Sequence, residues 1–170
     1  GSEENLFCGL EGDDIFFASS GDDFGDGGAG DDFIDGGTGD DTLLGGEGRG
    51  DDVILGGHGD DFIEAGSGDD VIEGGAGDDT IDGLSGDDIF DGGAGYDTID
   101  GGTQHDTIDG GEGHDTIDGG KGRDFIDGGE GDDLLRGGGA SDVILGGAGD
   151  DEIFGDSASD ILLGGDGHDT

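Results

Sequence analysis

Large apolar side chains recur along this chain at a fixed interval of nine residues, a spacing that belongs to neither a helix nor a single long strand. Counted from Gly9, a nine-residue unit runs to Thr170 in seventeen full copies and a truncated eighteenth. Position 8 of the unit is large and apolar in sixteen of the seventeen full copies, among them Phe16, Ile34, Ile63, Ile99, Ile126 and Leu162. Positions 7 and 9 are mixed in character. This short alternation predicts a three-residue strand with position 8 pointing inward. Glycines at positions 1, 2 and 4 supply φ > 0 and close chain approach, so six residues of turn precede each strand.

A six-residue turn and a three-residue strand close a coil only by alternating sides, which gives two strands and two turns per lap. The predicted fold is therefore all-β, a right-handed parallel β-roll with two nonapeptides per coil and one sheet from odd copies, the other from even copies. Nine laps at strand spacing span about 40 Å. Residues 9–170 are expected to form this single roll. In residues 1–8, Gly1-Ser2 reads as a cloning remnant, while Asn5, Leu6, Phe7 and Cys8 fall in register as positions 6 to 9 of a degenerate leading copy. The chain stops mid-repeat at Thr170, which predicts an open edge and a piece cut from a longer protein.

Position 6 is Asp in all eighteen copies: Asp14, Asp23, Asp32, Asp41, Asp52, Asp61, Asp70, Asp79, Asp88, Asp97, Asp106, Asp115, Asp124, Asp133, Asp142, Asp151, Asp160 and Asp169. Position 5 is mostly Asp but becomes Tyr96, His105, His114, Arg123, Ser141, Ser159 and His168, so its side chain is expected to face water. Position 6 thus has a task that only a short carboxylate performs.

Charge sharpens this. The chain carries 48 Asp plus Glu against 4 Lys plus Arg, for a formal charge of −44, and only 28% of its residues are hydrophobic. Such a composition does not compact unaided, and something cationic has to neutralise it. Nucleic acid and an anionic membrane surface are excluded as partners, because no basic patch exists to meet phosphates. No apolar run reaches the length of a transmembrane helix, and the start lacks the basic and apolar regions of a secretory signal. A lone cysteine, Cys8, allows no internal disulfide, and 49 glycines without a proline argue against collagen.

Aspartates stacked at lap spacing lie about 5 Å apart, and each pair repels by roughly 1 kcal/mol even in water. A hard dication that accepts six to eight oxygens suits such a row, because one turn offers a carboxylate and backbone carbonyls and the next turn completes the shell. Mg²⁺ resists dehydration and Zn²⁺ prefers His or Cys, so Ca²⁺ is the expected ion. Eighteen turns on two edges leave roughly sixteen inter-turn sites at most, bringing about +32 against the formal −44.

The repeated GGxGxDxUx, seen in GGAGDDFID at residues 27–35 and GGEGHDTID at 110–118, resembles the repeats-in-toxin (RTX) nonapeptide of secreted bacterial proteins over residues 9–170. The resemblance implies Ca²⁺ held by position-6 Asp and turn carbonyls, a disordered metal-free state and type I secretion to the cell exterior. Toxins, proteases, lipases, epimerases, adhesins and surface-layer proteins carry such repeats, and neither their catalytic domains nor their secretion signals are read in these residues. Several copies depart from the pattern. Gly25 at position 8 predicts a gap in the core, and Gln104, Ala140 and residues 155–158 replace turn glycines. Arg49 and Gly50, extra in the copy at 45–55, predict a bulged turn that loses its site.

Catalysis is not expected. His58 occupies position 3, while His105, His114 and His168 occupy position 5, and consecutive copies put them on opposite edges. Ice binding would need a regular Thr row in the turns, and position 3 offers only Thr38 and Thr103. Position 7 of the odd copies carries Ile15, Phe33, Val53, Val71, Ile89, Phe125, Val143 and Ile161, an outward apolar ladder that suits a neighbouring domain or a second roll. The sequence thus reads as a calcium-folded, non-catalytic spacer or secretion-coupled segment of an extracellular protein. The alternative is a polysaccharide- or surface-binding accessory module of an adhesin or secreted enzyme.

Overall fold

The computed structural model describes residues 4–46 and 48–170; residues 1–3, with the Gly1-Ser2 remnant, and Glu47 lie outside the described residues. In chain order the strands are β1 (Leu6–Cys8), β2 (Ile15–Phe17), β3 (Phe24–Asp26), β4 (Phe33–Thr38), β5 (Thr42–Leu44) and β6 (Val53–His58). They continue with β7 (Phe62–Ser67), β8 (Val71–Ala76), β9 (Thr80–Ser85), β10 (Ile89–Gly95), β11 (Thr98–Asp100) and β12 (Thr107–Gly113). The last third holds β13 (Thr116–Asp118), β14 (Phe125–Glu130), β15 (Leu134–Arg136), β16 (Val143–Ala148), β17 (Glu152–Phe154) and β18 (Ile161–Asp166).

Each strand pairs in parallel with the strand two places on, so the chain forms two nine-stranded sheets. Sheet I, from the odd copies, runs β2-β4-β6-β8-β10-β12-β14-β16-β18, and sheet II runs β1-β3-β5-β7-β9-β11-β13-β15-β17. The register is nonapeptide on nonapeptide: Phe90 lies beside Ile72 and Ile108, and Ile99 beside Ile81 and Ile117. This is the parallel β-solenoid of about 18 residues per coil that the nine-residue period predicts.

Position 8 fills the space between the sheets. Ile34, Leu43, Ile54, Ile63, Ile72, Ile81, Phe90, Ile99, Ile108, Ile117, Ile126, Leu135 and Ile144 are all buried in one continuous column. Burying one such side chain is worth about 2 kcal/mol, and stacking identical laps lets every residue of the column find the same partner above and below.

Three expectations need correction. The gap at Gly25 does not exist: a Cβ built there would meet the Phe16 ring at 3.1 Å and Ile34 Cγ2 at 3.2 Å. The large Phe16 ring leans into the space the glycine leaves, and it stacks on Phe7 with centroids 4.8 Å apart and planes at 11°. Strands are also longer than three residues wherever the first turn positions stay extended, and β10 and β12 reach seven. Finally, the insertion leaves the hydrogen-bonded row of aspartates unbroken. Gly50 stands in the position-4 slot, its carbonyl facing Gly68 as that of Gly68 faces Gly86, so the extra residues precede Gly50. Asp52 keeps its place in the row, accepting from Asp32 N at 2.8 Å and donating to Asp70 at 2.7 Å.

Candidate metal centre

The two turns of a coil lie on opposite sides of the roll: edge I carries the turns of odd copies and edge II those of even copies. Within a turn the glycines have separate tasks. Positions 2 and 4 take up φ > 0, as Gly93 (φ 102°) and Gly95 (φ 155°) do, which an L side chain resists. Position 1 is small for a different reason. A Cβ on Gly74 would sit 2.6 Å from Asp79 Oδ2 and 2.6 Å from the Gly92 carbonyl oxygen, and at Gly128 the corresponding distances to Asp133 and Gly146 are 2.5 and 2.6 Å. A carboxylate oxygen of one turn and a carbonyl oxygen of the next lap therefore converge beside the position-1 glycine.

The position-6 aspartates form two rows. Edge I carries Asp14, Asp32, Asp52, Asp70, Asp88, Asp106, Asp124, Asp142 and Asp160; edge II carries Asp23, Asp41, Asp61, Asp79, Asp97, Asp115, Asp133, Asp151 and Asp169. Within each row the backbone N–H of one Asp donates to Oδ1 of the Asp one lap on, at 2.7 Å between Asp14 and Asp32 and 2.9 Å between Asp97 and Asp115. Asn5 leads the second row, donating to Asp23 Oδ1 through both its backbone N–H and its side-chain amide. Fifteen of the eighteen are buried; Asp14 and Asp160 are half-buried and Asp169 is exposed, all three at the ends of their rows.

One oxygen of fourteen of the fifteen buried carboxylates remains without a partner, Asp52 being the exception. The Oδ2 atoms of Asp23, Asp32, Asp41, Asp61, Asp70, Asp79, Asp88, Asp97, Asp106, Asp115, Asp124, Asp133, Asp142 and Asp151 are buried and accept no hydrogen bond. A buried anionic oxygen with nothing to bind costs several kcal/mol, so the arrangement calls for a cation or a proton. Desolvation accordingly pushes Asp88 and Asp106 up to about 7, and Asp61, Asp79, Asp97, Asp115 and Asp133 up to about 6, against the pull of the inter-lap N–H donor. Repulsion from stacked carboxylates adds to the rise, as Asp70 and Asp69 do at Asp88.

The donor set fits a hard cation. All the converging atoms are oxygens, the carboxylates repeat at every lap, and a carbonyl of the next lap converges with the carboxylate beside most position-1 glycines, though not beside those of the Asp142, Asp160 and Asp169 turns. Among the described residues no three Asp, Glu, His or Cys side chains converge on one point. An ion held here must take part of its shell from the backbone, which Ca²⁺ does readily and Zn²⁺ does not.

Position 5, read from the sequence as merely solvent-facing, is exposed but has partners. Its side chain accepts an N–H from the next lap, in the opposite direction to the inner rows: Asp87 N donates to Asp69 Oδ1 at 3.0 Å and Asp150 N to Asp132 Oδ1 at 2.8 Å. Where histidine replaces Asp, Nδ1 takes over the acceptor role, from Arg123 N at His105 and from Asp132 N at His114. The substitutions tolerated at this position are largely side chains that can accept, a signal that the variable residue types concealed.

The four histidines are exposed, with His105 on edge I and His114 on edge II. Thr38 and Thr103 likewise fall on opposite edges. On the outer face of sheet I, Ile15, Val71, Ile89, Phe125 and Ile161 are exposed, and Phe33, Val53 and Val143 half-buried.

Matches to the family model described as the RTX calcium-binding nonapeptide repeat cover residues 9–25, 17–50, 48–72, 64–99, 100–135 and 136–170. No curated protein matches the chain significantly. Every turn that contributes an aspartate to the two rows lies inside the family matches, and the chain belongs to the family of RTX calcium-binding nonapeptide repeats.

Proposed function

We propose that the position-6 aspartates from Asp14 to Asp169 hold Ca²⁺ between successive turns, together with turn carbonyls, and that residues 9–170 act as one calcium-folded, non-catalytic unit of a secreted bacterial protein. The observation that carries this reading is the pair of rows of buried carboxylates whose Oδ2 atoms have no protein partner. With a formal charge of −44, the chain stays expanded where calcium is scarce. Outside the cell, where calcium is plentiful, ions entering the rows offset the repulsion and let the apolar column close. Such a segment serves as a rigid spacer, or as a switch that folds only after export.

Far-UV circular dichroism during calcium titration of the chelated protein tests the proposal, with magnesium as control. A cooperative gain of β-structure with calcium alone is expected. Retention of the ordered roll in excess EDTA at neutral pH would overturn it.

A further inference from the structure

Folding sorts the irregular repeats onto one side. On edge II the turns read GGxG in every copy but the one that begins Ala18-Ser19. Edge I collects Leu10, the insertion before Gly50, Ala65, Leu84, Gln104, Ala140 and the Asp156-Ser157-Ala158 turn. Among the described residues, the non-glycines with positive φ are Leu84 (63°), Gln104 (90°), Asp156 (57°) and Ala158 (92°), all on edge I.

Backbone pairing shows the same asymmetry. Every sheet I strand from β4 to β18 runs on through the first three turn positions of edge II, so Gly57 pairs with Gly75, Gly75 with Gly93 and Gly93 with Gly111. Among the described residues of edge I only β7 and β9 extend in this way, and beyond them pairing shrinks to the isolated bridges Ser85 to Thr103 and Thr103 to Lys121.

Charge follows the same division in the C-terminal half. Positions 3 to 5 of four successive edge I turns read Thr103-Gln104-His105, Lys121-Gly122-Arg123, Gly139-Ala140-Ser141 and Ser157-Ala158-Ser159, without a carboxylate and with two cations. Edge II over the same stretch presents Glu112, Glu130, Asp132, Asp150 and Asp166. Yet Asp106, Asp124 and Asp142 beneath that edge I surface keep buried, unpartnered Oδ2 atoms, just as Asp115, Asp133 and Asp151 do across the roll.

From this we infer that the calcium sites fall into two classes, the C-terminal edge I turns of Asp106, Asp124, Asp142 and Asp160 forming a weak class that fills last. The inference rests on the calcium reading above. A unit charge about 8 Å from a dication changes affinity roughly fivefold even at the dielectric constant of water, so losing outer carboxylates and gaining Lys121 and Arg123 weakens these sites by about tenfold or more. Irregular turn backbones add to the difference, because carbonyls not held by a continuous ladder must be ordered when the ion binds. The C-terminal half of the roll therefore has a regular edge that closes at low calcium and a loose edge that responds at higher calcium.

Calcium binding to the full chain, measured by isothermal titration calorimetry and by competition with a fluorescent chelator at fixed ionic strength, tests this. Two classes of site separated by about tenfold or more are expected. Lys121→Glu with Arg123→Asp should tighten the weak class about fivefold or more, while Glu112→Lys with Glu130→Lys should move edge II sites into it. All four side chains are exposed, so the variants keep the fold, which circular dichroism in saturating calcium verifies. A single class of site, or a weak class unmoved by the Lys121 and Arg123 changes, overturns the inference and leaves calcium-dependent folding intact. Absence of calcium uptake would remove both.

Discussion

The backbone N–H of Asp79 donates to Oδ1 of Asp97 across 2.9 Å, while Oδ2 of the same Asp97 carboxylate, in a residue only 1% exposed, has no partner in the protein. One oxygen fixes the lap below and the other is left for an ion. In the proposed reading, structure and metal binding share this single side chain, and the two roles can be separated.

Asp97→Asn keeps the Oδ1 acceptor and removes the charge; Asp97→Ala removes both. The Asn variant should lose calcium affinity at its turn while retaining the register of neighbouring laps. The Ala variant should lose a further ~1 to 3 kcal/mol, because the buried Asp79 N–H is left without an acceptor. Calcium titrations followed by chemical denaturation in saturating calcium separate the two effects, and equal stability of the variants would contradict the ladder.

Protons should partly replace calcium. The folded, cation-free roll holds Asp88 and Asp106 at about 7 and several others at about 6, above the ordinary 3.8, so it binds more protons than the unfolded chain. Their stabilising contribution is fully present below pH ~4 and is lost as pH rises through about 6 to 7. In EDTA, circular dichroism should show more β-structure at pH 4.5 than at pH 8. With calcium, the midpoint concentration should rise as pH falls from 7.5 to 5.5.

Removing Phe16 tests the aromatic filling at the glycine of the core. Phe16→Ala should destabilise the N-terminal laps by about 3 kcal/mol, through lost burial and the space opened beside Gly25. Gly25→Leu should clash in the parent chain and recover part of that loss when combined with Phe16→Ala. Hydrogen exchange at residues 24–34 reports the change locally, and a double variant no better than Phe16→Ala would argue against the packing described.

Leu84 and Gln104 hold left-handed backbone at φ 63° and 90° where neighbouring turns use glycine. Leu84→Gly and Gln104→Gly should each raise stability by about 1 kcal/mol, an increase in the calcium-loaded thermal midpoint of a few degrees. Gly93→Ala should do the opposite and more strongly, since its Cβ would collide with the Gly75 carbonyl.

Much of this molecule was legible one nonapeptide at a time. The apolar position 8 foretold the core column from Ile34 to Ile144, and the unvarying Asp at position 6 foretold two acidic rows, because a period of nine with a strand in it leaves a parallel coil as the only way to bury the one and stack the other. Local pattern could not report what lies one lap away. That Phe16 occupies the space over Gly25, that Gly50 rather than Arg49 resumes the repeat, and that His105 and His114 accept backbone N–H groups all depend on residues nine or eighteen positions distant. The gathering of Leu84, Gln104 and Asp156 on one edge is likewise invisible along the chain, where they are scattered among regular copies. Period and composition determine which coil forms and that a cation must enter it; the lateral stacking of laps, which brings each carboxylate against its neighbour's backbone, decides what every turn contributes.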